Sequence, residues 1–152
     1  MKSMDKVGLI LCKYQAKLFE YSVKQKVSSR LFIKKFSHSF LAERMGFGAF
    51  LLESIDVPQA YIEVVGETQL NGPIYNEAIM SWIGYIYRYI CYTYGQTMSD
   101  VYKRIKPKDL YELYDAYHSM DNELAIKRIL EAKSTSFEIK DDIELFKKIY
   151  HI

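Results

Sequence analysis

The side chains able to move protons, bind metal or attack a carbonyl are few in this chain, and they are scattered. His38, His118 and His151 lie far apart, and Cys12 and Cys91 belong to no Cys-x-x-Cys or paired Cys/His spacing. No metal site is therefore expected. There is no Gly-x-x-x-x-Gly-Lys-Ser/Thr loop to cradle phosphate and no Gly-x-Ser-x-Gly elbow to present a nucleophile. Gly46-Phe47-Gly48 begins like a dinucleotide fingerprint, but Leu51 stands where the third glycine belongs and no strand-like run precedes it. The expectation is a protein with no cofactor and no catalytic residue, one that binds rather than reacts.

Recognition chemistry is better represented. Between Ile79 and Gly95, Trp82, Tyr85, Tyr89 and Tyr92 share one helical face, and Ile79, Ile83, Ile86 and Ile90 share another. Ser81, Gly84, Cys91 and Gly95 surround Arg88 on the third, so small residues let a neighbouring backbone approach a lone guanidinium. A charge in such a place needs an acceptor. One expectation is a structural pairing with a carboxylate such as Glu53, Glu63 or Asp115. The other is a pocket in which Arg88 binds a small anionic ligand, oriented by Tyr85, Tyr92 and Trp82.

A second constellation is basic. Residues 13–35 hold seven Lys/Arg and one acid, with Phe and Tyr interleaved. Lys13, Lys17, Lys24, Arg30 and Lys34 could contact the phosphates of a nucleic acid. The sequence pI of 8.4 is low for that role and no helix-turn-helix or zinc finger accompanies it. An acidic partner is the competing expectation, and the cluster Asp141, Asp142 and Glu144 of the same chain is one source of it. Residues 1–50 carry ten Lys/Arg against three Asp/Glu, and residues 51–152 carry eleven against sixteen. Halves of opposite sign can also drive self-association.

All of these residues sit on segments with helical period. Val7, Leu11, Tyr14, Leu18 and Tyr21 form a seam over residues 6–25, and Lys6, Lys13, Lys17, Glu20 and Lys24 form the opposite strip. Ser28 and Ser29 cap a second helix with a face of Phe32, Ile33, Phe36 and Phe40, stopped at Gly46. Met45 to Leu52 is expected to be a short buried connection. Asp56 with Pro58 opens a helix to about Val65. A central helix then runs from about Ile74 to Tyr94. Thr97 caps a short helix to Lys106, Pro107 opens the next and Asp121 caps another. Thr135 with Glu138 opens the last, with a seam of Ile139, Ile143, Phe146 and Tyr150.

The fold class expected is all-α: one compact domain over 1–152, of about seven or eight helices, packed around the central Tyr-rich helix. A chain of 152 residues buries enough surface to need no disulfide staple. Two isolated cysteines suit a reducing compartment, so a cytoplasmic protein with buried thiols is expected. The apolar run from Val7 to Cys12 is too short for an export signal. Residues 78–95 approach a membrane span in length, but five tyrosines along it and a mid-helix Arg88 argue for a soluble core helix. Fourteen tyrosines against one Trp are an excess, for which half-wet core positions and a composition also rich in Ile and Lys are competing explanations. Those on the central helix, with Tyr102, Tyr111, Tyr114 and Tyr117, predict hydroxyl hydrogen bonds through the core.

The run Trp82-Ile83-Gly84-Tyr85-Ile86-Tyr87-Arg88-Tyr89, with Tyr102-Lys103, Lys106-Pro107, Tyr117-His118-Ser119-Met120-Asp121 and Ala125-Ile126, carries a resemblance. It resembles a group of small helical bacterial proteins without assigned activity, some encoded beside ADP-ribosyltransferase-like toxins. The resemblance covers roughly residues 10–132 and is strongest over 82–130. It implies an antitoxin or other partner-binding protein in a toxin–antitoxin-like pair, and it carries no site residues with it. A protein-binding module is thus the leading expectation. A nucleic-acid binder and an anion or enzymatic site at Arg88 are the alternatives.

Overall fold

Capping side chains set most of the helix starts. In the computed structural model, which describes residues 2–152, Asp5 accepts a hydrogen bond from Gly8 N and opens α1, Lys6–Lys24. Ser28 opens α2, Ser29–Ser37, and Ser39 opens α3, Phe40–Arg44. A 3-10 helix, Gly48–Glu53, follows. Asp56 and Gln59 cap α4, Val57–Val65, reciprocally, and Asn76 opens α5, Glu77–Tyr94. Then come α6, Met98–Arg104, α7, Pro107–Tyr117, α8, Asn122–Ala132, and α9, Asp142–Tyr150. The described residues hold these ten helices and no strand, and eight of them are seven residues or longer. This is the all-α domain expected.

The axis is the antiparallel pair α1 and α5. Gly8 lies against Tyr92 and Gln15 against Gly84, so the start of one helix meets the end of the other. Leu11, Leu18 and Phe19 from α1 and Ile83, Ile86, Tyr87 and Ile90 from α5 are fully buried between them and their neighbours. Full burial of one such side chain stabilises by roughly 1.5–3 kcal/mol. Phe19 meets Phe32 and Phe36 edge-on, which brings α2 into the same core. Among the described residues, no helix is long and apolar enough to cross a membrane.

Four segments differ from the sequence pattern. The second helix breaks after Ser37, because Ser37 Oγ donates to Lys34 O, His38 Nδ1 also bonds that carbonyl, and Ser39 caps a new helix. Phe40 is thereby turned out of the core. The central helix starts at Glu77 rather than near Ile74, since the Asn76 side chain takes the Ala78 N–H. Residues 45–52 are not uniformly buried: Met45 and Phe50 are, whereas Leu52 points outward.

The last helix differs most. Asp141 and Glu144 form a reciprocal cap that outcompetes Thr135 and Glu138, so residues 135–141 stay non-helical. They strap the corner between α5 and α6: Lys140 N donates to Tyr94 O at 3.1 Å, Gln96 Nε2 donates to Glu138 O, and Arg104 donates to Ser136 O. Gly95 takes φ +64° at that corner, and any Cβ there would collide with the Lys140 carbonyl. Lys148 pairs with Asp100 at 2.5 Å and anchors α9 to α6.

Candidate functional site

Arg88 is 1% exposed, the largest fully buried side chain among the described residues. Its Nε donates to Gln15 Oε1 at 2.7 Å and its Nη2 to Ala42 O at 3.2 Å. Gln15 in turn donates from Nε2 to Gly84 O at 3.0 Å, so the amide joins α1 to both ends of this arrangement. The expected carboxylate partner is absent from the arrangement. Glu53 and Glu63 belong to Arg44 instead: Nε lies 3.1 Å from Glu53, and Nη1 lies 2.7 Å from Glu63. Hydrogen bonding to Glu63, outweighing the opposing effect of partial burial and joined by Glu53, raises the Arg44 pKa. Asp115 is exposed on α7. Arg44 is nearer those acids because it lies on α3, at the surface beside α4.

Burial lowers the Arg88 pKa, though a guanidinium stays protonated in any protein environment. It also pushes the Cys12 thiol up to about 12 and the Cys91 thiol to about 11, with the Arg88 charge opposing the shift in both cases. Thiolate is the reactive form, so both cysteines are inert in the folded protein. Ellman's reagent at pH 8 is expected to titrate neither thiol in the native state and both after unfolding in guanidinium.

Tyr85, Tyr92 and Trp82 do not gather around Arg88. Tyr92 donates its hydroxyl to both Asp5 oxygens, at 2.7 and 2.8 Å, beneath the Lys2 ammonium. Trp82 meets Tyr114 edge-on at 5.6 Å, and Tyr114 stacks on His118 at 4.2 Å. Tyr85 lies beside Tyr89. Hydroxyl bonding through the core is also sparser than expected. Among the described residues, Tyr14, Tyr87 and Tyr92 donate to protein acceptors, while Tyr102, Tyr111 and Tyr114 engage through their rings. Fourteen tyrosines mostly supply half-buried ring area.

The Gly8 N–H, then the Tyr92 hydroxyl, hold the Asp5 carboxyl below its usual range. A depressed folded pKa means the stabilisation is complete above the unfolded value, about pH 4, and is lost as pH falls through the lower folded value. The melting temperature of Asp5→Asn is accordingly expected to fall less than that of the wild type between pH 5 and pH 2, as followed by circular dichroism.

The basic residues separate into two groups. Lys13, Lys17, Lys24, Arg30 and Lys34 are all exposed, and none forms an ion pair among the described residues. Lys17 and Lys24 border a depression with Tyr21, Val57 and Pro58, whereas Lys34 lines a different groove between α2 and α4. The acidic cluster does not meet them. Asp141, Asp142 and Glu144 line a cleft of about 690 Å³ with Lys2, Lys140 and Tyr92. No group of His, Cys, Asp or Glu among the described residues could hold a metal ion.

No family model, no curated protein and no solved structure matches this chain.

An apolar stripe lies at the surface along the last helix. Ile143 is 68% exposed and Phe146 46%, with Ile139 and Tyr150 on the same side. They were expected to be the core seam of the last helix. Leu145 and Ile149 are buried instead, against Gly46. Phe146 contacts Tyr150 at 4.6 Å and Phe47 at 6.1 Å, which extends the stripe off α9. The sequence held one clue: the last helix carries two apolar rows, and only one can face the core.

Proposed function

We propose that this protein works by binding another protein, in the manner of an antitoxin that neutralises a partner toxin, without a catalytic step of its own. The observation carrying this reading is the outward apolar stripe Ile139, Ile143, Phe146 and Tyr150, continued by Phe47. Contiguous exposed apolar side chains rimmed by charge mark interaction surfaces in soluble proteins. Asp142 and Glu144 at one end of α9 and Lys147 at the other supply that rim. The resemblance over residues 82–130 supports a toxin as the partner and a bacterial cytoplasm as the setting, where Cys12 and Cys91 stay thiols.

Co-expression with the product of the neighbouring open reading frame tests it. The wild type is expected to co-purify with that product and suppress its toxicity. Ile143→Asp/Phe146→Asp should weaken the complex by tenfold or more while leaving the melting temperature within a few degrees. A wild type that neither co-purifies nor alters toxicity defeats the reading, and so does a double variant that binds as well as the wild type. If the stripe instead joins two copies, ultracentrifugation will show a dimer that the double variant breaks.

Nucleic-acid binding is a second reading, supported by the five exposed and unpaired cations Lys13, Lys17, Lys24, Arg30 and Lys34. It requires affinity that falls steeply with salt and is lost on reversing Lys13, Lys17 and Lys24. A mobility-shift titration at two salt concentrations decides it.

A further inference from the structure

A second surface has its own chemistry. Leu31, Lys34, Lys35 and His38 recur at spacings that place them on one face of α2 and just past its end. Together with Phe40, Val64, Glu63 and Leu70 they enclose a groove of about 660 Å³ between α2 and α4. Leu31 is 41% exposed and Phe40 55%, so two large apolar side chains stand at its mouth.

We infer that this groove binds an acidic amphipathic helix of a partner protein. Charge complementarity selects that occupant. Arg44 bonds Glu63, through contacts of 2.7 and 3.0 Å, but shares its single charge with Glu53, so Glu63 stands as at most one negative charge against the two lysines of the lining. Lys34 and Lys35 form no ion pair among the described residues, so the uncompensated charge of the groove is positive. The cations stand on the α2 wall, and Leu31, Phe40, Val64 and Leu70 give the rest of the lining a mainly apolar surface. A phosphodiester backbone would gain little from that floor. A helix with an apolar stripe flanked by Asp and Glu matches both features at once. The face from Leu31 to His38 is about 10 Å long at 1.5 Å per residue, which suits two apolar anchors one turn apart.

The inference rests on the protein-binding reading above but uses a different surface, so the two can fail separately. Three fluorescein-labelled probes distinguish the outcomes by anisotropy: a 16-residue helical peptide with one leucine stripe flanked by glutamates, the same peptide with lysine for glutamate, and a 16-nucleotide single-stranded RNA. The acidic peptide is expected to bind saturably, and the lysine peptide at least tenfold more weakly. Lys34→Glu/Lys35→Glu should weaken the acidic peptide at least tenfold and Phe40→Ala several-fold, whereas Ile143→Asp/Phe146→Asp should leave it unchanged. The groove is not such a site if the acidic peptide fails to saturate, or if the charge-reversed variant binds it equally. Preferential RNA binding that the same variant abolishes would assign the groove to nucleic acid and overturn the inference. Failure of any of these kinds leaves the α9 reading standing, and loss of toxin capture through α9 variants alone leaves the groove standing.

Discussion

Gly84→Val is expected to unfold this protein at a lower urea concentration than any single surface change. A Cβ at Gly84 would lie 2.8 Å from the Gln15 carbonyl oxygen and 2.8 Å from Phe19 Cγ. The first of these is helical backbone in the middle of α1, and the second is a ring already packed edge-on against Phe32 and Phe36. Neither can swing aside, so the axis of the fold must spread. Overpacking of a tight core costs about 1–3 kcal/mol and occasionally more, and this site belongs at the upper end because backbone is in the way. Valine also brings an intrinsic helix preference slightly better than glycine, a few tenths of a kcal/mol that works in the opposite direction. Gly48→Ala is the matched control. Its Cβ would meet only Val7 Cγ1, at 3.0 Å, and the flexible tip of an exposed valine can move. Urea titrations of the three proteins, read by circular dichroism, check the ordering. A Gly84→Val midpoint within error of the wild type would contradict the close approach of α1 and α5.

Arg88→Ala is expected to be comparably severe, for a different reason. It empties the volume of the largest fully buried side chain and leaves Gln15 Oε1 and Ala42 O without their donor. Truncating a large buried side chain costs ~2–5 kcal/mol, and a buried acceptor left unpaired costs ~1–3 kcal/mol. The combined change Gln15→Leu/Arg88→Met removes the charge, its main acceptor and the amide bridge together while keeping the volume nearly constant. Replacing buried polar or charged groups by apolar ones of similar shape is often neutral or stabilising, so this double variant is expected to recover the part of the loss due to volume and Gln15, while Ala42 O still lacks the Arg88 donor. The pair of measurements also discriminates roles. If Arg88 serves only to join α1, α3 and α5, the double variant retains whatever partner binding the wild type has. A folded double variant that loses partner binding would return Arg88 to the functional site.

The helices were legible because their starts are local chemistry. Asp56 with Gln59, Thr97, Pro107 and Asp121 each satisfy or avoid orphan amides within a few residues, so the sequence alone places those starts. Errors arose where two local solutions compete. Around residue 38, side chains that bond back to Lys34 O favour a break over continuation. Around residue 140, two caps are written six residues apart, and the strap's bonds to Tyr94, Gln96 and Arg104 favour the later one. That choice decides which row of the last helix is core. Nothing within residues 135–150 announces it, because the deciding contacts come from α5, α6 and Gly46.

Arg88 marks the division between what was readable and what was not. Its small-residue face correctly signals a close helix approach, since Gly84 and Gln15 touch there. Its acceptor was not readable. Three carboxylates were equally plausible by composition, and the structure uses an amide and a backbone carbonyl, with the acids drawn to Arg44 at the surface. By itself the sequence determined the fold class, the buried thiols, most helix starts and the Tyr-rich helix as the axis, because periodicity and capping act over short distances. Only the tertiary structure decided that the aromatic residues and Arg88 form no common site, and that Ile143 and Phe146 face outward. Which face of a helix is buried depends on what packs against it, and that neighbour lies elsewhere in the chain.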